Sequence, residues 1–164
     1  MPIVAAIPKG MAKPHLEIEG SSALSGEIRV NGAKNSALVL MAASLLTEGE
    51  ICLKNVPELT DIKGMSEILM KLGVKLEKQE EALSICASQL HHVELSYELV
   101  HGLRASFFCI GPLLARLGKA KIPLPGGCEI GARPVLEHIK GLKALGAYVS
   151  VDHGVVTASI PGNK

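Results

Sequence analysis

The residues best suited to chemistry lie in three short stretches far apart in the chain. In Pro125-Gly-Gly-Cys-Glu-Ile-Gly-Ala-Arg-Pro134, Cys128 sits among glycines that free the backbone, and Arg133 follows five residues on. A thiol beside a cation ionises more readily and can work as an acid or a nucleophile near neutral pH. In Gly32-Ala-Lys-Asn35, Lys34 and Asn35 open an expected helix. Free N–H groups and an ammonium there suit a phosphate or carboxylate. In Gly102-Leu-Arg-Ala-Ser-Phe-Phe108, Arg104 interrupts an apolar run, so its guanidinium must reach solvent or meet an anion. On spacing alone each keeps a structural alternative: a half-buried thiol, a helix cap by Asn35 with Lys34 in solvent, an arginine at a helix edge.

Other polar residues say less. Cys52, Cys86 and Cys109 read as half-buried structural thiols, and Arg116 as a cation placed against a helix C-terminus. His91-His92 lies in a polar connector and reads as solvent-exposed. For His138, on the helix after the cysteine loop, packing and substrate contact both stay open.

The elements that must position these groups follow from periodicity. Leu16–Glu19 and Glu27–Val30 alternate as two short strands around a glycine-rich turn. A buried helix is expected over Ser36–Leu46 and a strand over Ile51–Val56. Next come a helix capped by Thr60 or Asp61 and ended at Gly73, then a hairpin of Val74–Gln79 with Ala82–Ala87. The order recurs: a helix from Ser96 to Leu117, bent at Pro112 and ended at Gly118, a strand at Lys121–Leu124, the cysteine loop, a helix from Pro134 to Leu145, and a hairpin of Ala147–Asp152 with Val155–Ile160. A shift of 73 residues lays Leu72-Gly73-Val74 on Leu145-Gly146-Ala147. The unit helix–strand–helix–strand–strand therefore occurs twice, which predicts an α/β (α+β) protein with helices packed on sheets.

Composition sets the class. The 164 residues suffice for one domain with a core, and that core must be aliphatic, since there is no Trp and only two Tyr and two Phe. Seventeen Lys+Arg against sixteen Asp+Glu imply neither nucleic acid nor an anionic membrane as partner. The N-terminus has no basic segment before its short apolar run, and Ala37–Leu46 is too short to span a bilayer; a soluble, cytoplasmic protein is expected. The four cysteines form no C-x-x-C pair, so neither a metal site nor a disulfide framework is expected.

Taken together, GAKNSAL (32–38), LRASFFCIGPLLARLG (103–118) and PLPGGCEIGARPV (123–135), with NVPELTDI (55–62), resemble one family. It is that of the UDP-N-acetylglucosamine 1-carboxyvinyltransferases, the enolpyruvyl transferases that open peptidoglycan synthesis. The likeness runs from about Lys13 to the end. It implies transfer of the enolpyruvyl group of phosphoenolpyruvate to the 3′-hydroxyl of UDP-N-acetylglucosamine with release of phosphate, without cofactor or metal. The sister family that uses shikimate 3-phosphate shares the fold and an early lysine, but lacks the PGGC loop. By the resemblance Lys34 and Asn35 contact phosphoenolpyruvate. Arg104 and the run Arg133, Pro134, Val135, Leu136 and Glu137 hold the nucleotide sugar and phosphate. Cys128 is the proton donor, and the residue that fosfomycin alkylates. Where the family pattern has Asp three or four positions after the loop arginine, Leu136 and Glu137 stand here, and Glu137 is the carboxylate available in its place.

The resemblance also implies an inside-out α/β barrel of repeated units, incomplete in this chain. Residues 32–164 would form the first two units of the N-terminal domain. Residues 1–31 would supply strands that pack on a second domain. The base for the sugar hydroxyl belongs to that domain, so the chain alone is expected to show no turnover. Its unpaired strands could support self-association, and a non-catalytic assembly module is the rival reading.

Overall fold

The computed structural model describes residues 18, 20, 23, 25–80, 82–125 and 135–162. The chain divides into two compact units, Met1–Val30 and Asn31–Lys164. In the first unit, Glu27–Val30 does not form the expected strand: among the described residues the segment belongs to no sheet, and Ile28 and Val30 are exposed. Alternation alone cannot hold a strand without a sheet to pair with. The strand expected at Leu16–Glu19 lies largely outside the described residues.

The second unit carries the repeat. Helix α1 (Lys34–Ala43) runs into a 3-10 turn at Ser44–Leu46, followed by β1 (Glu50–Lys54), α2 (Thr60–Lys71), β2 (Lys75–Gln79) and β3 (Ala82–Cys86). The second copy holds α3 (Tyr97–His101), a 3-10 helix at Arg104–Cys109, α4 (Ile110–Leu117), β4 (Lys119–Pro123), α5 (Leu136–Ala144), β5 (Tyr148–Asp152) and β6 (Val155–Ser159). Each copy builds an antiparallel three-stranded sheet with its last strand in the middle, β1-β3-β2 and β4-β6-β5.

Adding 73 to the bounds of β2 and β3 gives those of β5 and β6, whereas β1 and β4 start 69 apart, at Glu50 and Lys119. The repeat extends to backbone detail. Gly73 and Gly146, which follow α2 and α5, have φ of 96° and 93°, and Glu80 and His153 at the hairpin turns have φ of 48° and 46°. Left-handed residues at these turns match the twist of the flanking strands. Helices and inner sheet faces share one aliphatic core, in which Met41, Met65, Ile68, Leu69, Leu113 and Ile122 are fully enclosed.

Several boundaries differ from expectation. The long helix over Ser96–Leu117 is three pieces, and the break falls at Gly102 and Leu103 rather than at Pro112. Pro112 stands in the first turn of α4, where its missing N–H costs little. Leu103 is extended (φ −134°, ψ 98°), which reorients the chain just before Arg104. Neither Thr60 nor Asp61 caps α2, because the N-cap is Leu59 and both residues lie inside the helix. Likewise Ala33, not Asn35, is the N-cap of α1, which begins two residues before the expected start. Among the described residues no helix is long and apolar enough to cross a membrane, and no cluster of metal-ligating side chains occurs.

Candidate active site

The GAKN segment is fastened to the loop before α2. Gly32 donates its N–H to the Asn55 Oδ1 at 3.2 Å, and Asn55 itself is left-handed, with φ of 56°. A Cβ on Gly32 would overlap the Asn55 carbonyl oxygen, so only glycine allows this approach. The contact fixes where α1 starts, and with it Lys34 and Asn35. The N–H groups of the first turn have no partner within the helix, which leaves an electropositive end. A lysine at that end opposes the helix dipole, at a cost of about 0.3–1 kcal/mol. Here Lys34 Nζ lies 2.6 Å from Asp61 Oδ2 on the first turn of α2, which offsets that cost.

Arg104 arrives from the other repeat. The 3-10 helix packs against α1, and its Ala105, Phe107 and Cys109 are buried. Ser106, fully buried, donates its hydroxyl to the Leu103 carbonyl at 2.6 Å. Six residues is long for a 3-10 helix and keeps Arg104 at its exposed first position.

These elements enclose a cleft of about 820 Å³. Lys34, Asn35 and Asp61 line it from the first repeat, and Arg104, Phe108, Val135 and His138 line it from the second. His138, left open by the sequence, stands at the cleft wall, edge-on to Phe107 at 5.6 Å and tilted to Phe108 at 6.2 Å. Cleft residues Lys34 and Arg104 are separated by 70 positions in sequence, and the fold brings them to one cavity. The arrangement offers cations and free N–H donors to a ligand with two anionic groups.

Three site candidates, Cys128, Arg133 and Pro134, lie outside the described residues. Val135, the next described residue, is buried and lines the cleft. Leu136 and Glu137 are exposed on the first turn of α5 and do not line the cleft; Glu137 instead accepts from Lys140 at 2.8 Å. Arg116 does more than face a helix dipole: it donates to the Leu45 carbonyl at 2.9 Å and to Glu48 at 3.3 Å, tying α4 to the 3-10 turn after α1 and the loop beyond it. His91 and His92 are exposed, as expected.

Of the described thiols, Cys86 is half-buried as expected, whereas Cys52 and Cys109 differ from that expectation. Cys52 is exposed, because it sits on the solvent face of β1. Cys109 is buried, and desolvation pushes its thiol up to about 12, which makes it inert. Cys86 is intermediate, and its hydrogen bond with Ser88 lowers its thiol below the usual range, but it lies away from the cleft. Sequence reasoning missed Asp61 as a cleft residue. The signal available was an acidic residue on the first turn of a helix next to the GAKN turn.

Comparison with known proteins bears on the family and the fold. The family described as EPSP synthase (3-phosphoshikimate 1-carboxyvinyltransferase) matches residues 18–164. The chain is 64% identical over 164 residues to a UDP-N-acetylglucosamine 1-carboxyvinyltransferase of Prochlorococcus marinus (strain MIT 9313), covering all of this chain and 38% of that protein. It is 58% identical, with the same coverage, to a protein of the same name from Synechococcus sp. (strain CC9605). The chain thus spans little more than a third of the length of these curated relatives. Among solved structures, the enolpyruvyl transferase NikO from Streptomyces tendae superposes with a TM-score of 0.70 at 22% identity, over 88% of this chain and 32% of that one. EPSP synthase from Acinetobacter baumannii gives 0.60 at 18% identity, over 87% and 33%. These two likenesses bear on the fold alone.

Proposed function

The chain belongs to the EPSP synthase (3-phosphoshikimate 1-carboxyvinyltransferase) family, and from that premise we propose that it supplies part of an active site that moves the enolpyruvyl group of phosphoenolpyruvate to the 3′-hydroxyl of UDP-N-acetylglucosamine. The observation that carries the proposal is the convergence of Lys34, Asn35 and Arg104 on one cleft. The names of the most similar relatives favour the nucleotide sugar over shikimate 3-phosphate as acceptor.

In this reading the free N–H groups of α1 and the Lys34 ammonium hold the phosphate or carboxylate of phosphoenolpyruvate, and Asn35 orients it. Arg104, with Arg133 to Glu137, holds the nucleotide sugar. The Cys128 thiol gives its proton to the terminal methylene while the sugar oxygen bonds to the adjacent carbon and loses its own proton to a base. Cleavage of the carbon–oxygen bond to phosphate, with loss of a proton from the new methyl group, then restores the carbon–carbon double bond and leaves the enol ether of the sugar. Fosfomycin would alkylate the same thiol. The base would come from a second domain, so the 164 residues alone would not turn over. The reaction would belong to peptidoglycan synthesis in the cytoplasm.

Phosphate release from phosphoenolpyruvate plus UDP-N-acetylglucosamine tests this, with the 164-residue chain compared with one extended to the length of the relatives. The extended chain should turn over and the short one should not. Turnover of the extended chain with shikimate 3-phosphate, and none with the nucleotide sugar, would overturn the acceptor. A fosfomycin adduct found by mass spectrometry should map to Cys128.

A further inference from the structure

We propose that Asp61 is a positioning residue that holds the Lys34 ammonium at the cleft for an anionic ligand; this rests on the reading of Lys34 given above. Lys34 and Asp61 come from the first turns of two helices that pack together, and both line the cleft. Nζ and Oδ2 are 2.6 Å apart, and the two side chains are 44% and 37% exposed. Lysine has a flexible four-carbon stem, and a cation at the start of a helix is repelled by the free N–H groups beside it. Without a partner the ammonium would swing into solvent. Asp61 faces no such conflict, because a carboxylate on the first turn of α2 is favoured by that helix's dipole. The carboxylate is therefore a fixed point, and the lysine is the group it restrains. Asp61 accepts only one ammonium hydrogen bond, which leaves other N–H donors of Lys34 for the ligand.

Charge and position act in opposite directions here, which makes the idea decidable. Replacing Asp61 by Asn removes a negative charge near an anion site, so charge alone predicts tighter binding of phosphoenolpyruvate. Positioning predicts weaker binding, by roughly 2- to 12-fold, the span set by the cost of ordering one long side chain.

The test uses the 164-residue chain, with phosphoenolpyruvate titrated into parent, Asp61→Asn, Asp61→Glu and Lys34→Met. NMR relaxation of the Lys34 ammonium nitrogen serves as a readout independent of ligand. Asp61→Asn should bind more weakly and show a freer ammonium, while Asp61→Glu should restore both. Binding by Asp61→Asn as tight as or tighter than parent, or an ammonium as ordered as in parent, would overturn the positioning role while leaving the proposed function standing. If the parent shows no Lys34-dependent binding, the proposed role of Lys34 falls, and this inference with it.

Discussion

Replacing Gly32 by Ala probes the joint on which the cleft depends. The new Cβ would overlap the Asn55 carbonyl oxygen and lie 3.1 Å from its carbon, so the two backbones must separate. Separation also lengthens the 3.2 Å hydrogen bond from Gly32 N–H to the Asn55 side chain. Losing that bond costs about 1 kcal/mol, and overpacking against backbone costs about 1–3 kcal/mol. The lower entropy of the unfolded alanine chain returns about 0.4–1 kcal/mol. The net loss is then about 1–3.6 kcal/mol, or a melting temperature lower by roughly 2–14 °C for a chain of this size. Gly141→Ala on α5 is the matched control, because nothing lies within 4 Å of its Cβ. It should be neutral or stabilising by up to about 1 kcal/mol, from helix propensity. Urea melts read both variants. A Gly32→Ala midpoint equal to parent, with an unchanged slope, would refute the claim that close approach at Asn55 fixes the start of α1.

Further expectations concern the repeat, the core and pH. Gly73→Ala should cost more than Gly146→Ala in urea melts. Both residues have positive φ, but only at Gly73 would the Cβ meet Gln89 and His91, at 2.6 Å; the difference should be about 1–3 kcal/mol. Arg116→Met should destabilise by about 1–3 kcal/mol, because it removes a charged donor from the Leu45 carbonyl. Cys109 stays protonated in the folded chain up to about 12. Its raised value gives stability that is whole below the unfolded thiol's value and is lost as pH rises through this window. Above pH 9, parent stability should therefore fall more steeply than that of Cys109→Ala, by up to roughly 1.4 kcal/mol per pH unit. In native conditions a thiol reagent should label exposed Cys52 at once and Cys109 only as the chain opens.

The repeat was legible because glycines with positive φ and alternating hairpins leave strong local marks; Gly73 and Gly146 carry both. The direction of chain travel at Arg104 was not. The run from Ser96 to Leu117 has helical periodicity throughout, and only tertiary packing of Phe107 and Cys109 against the core decides that its middle is a 3-10 helix. Pro112 misled for a related reason: a proline marks either a kink or a helix start, and spacing does not distinguish them. Lys34, Asn35 and Arg104 were legible as candidates singly, whereas their meeting at one cleft was not. The partner of Lys34 escaped notice because Asp61 also fits the pattern of a helix cap. Arg116 was read from its own helix alone, although its main contact lies 71 residues away.

The cleft straddles the seam between the two repeats, with Lys34 on one side and Arg104 on the other. Neither copy of the repeated unit owns it, so an anion held by both would work as a removable rivet between two halves built on one pattern. Occupancy at a hundred times the dissociation constant would tighten that joint by about 2.7 kcal/mol. Melting temperature then becomes a gauge of ligand, readable without any turnover.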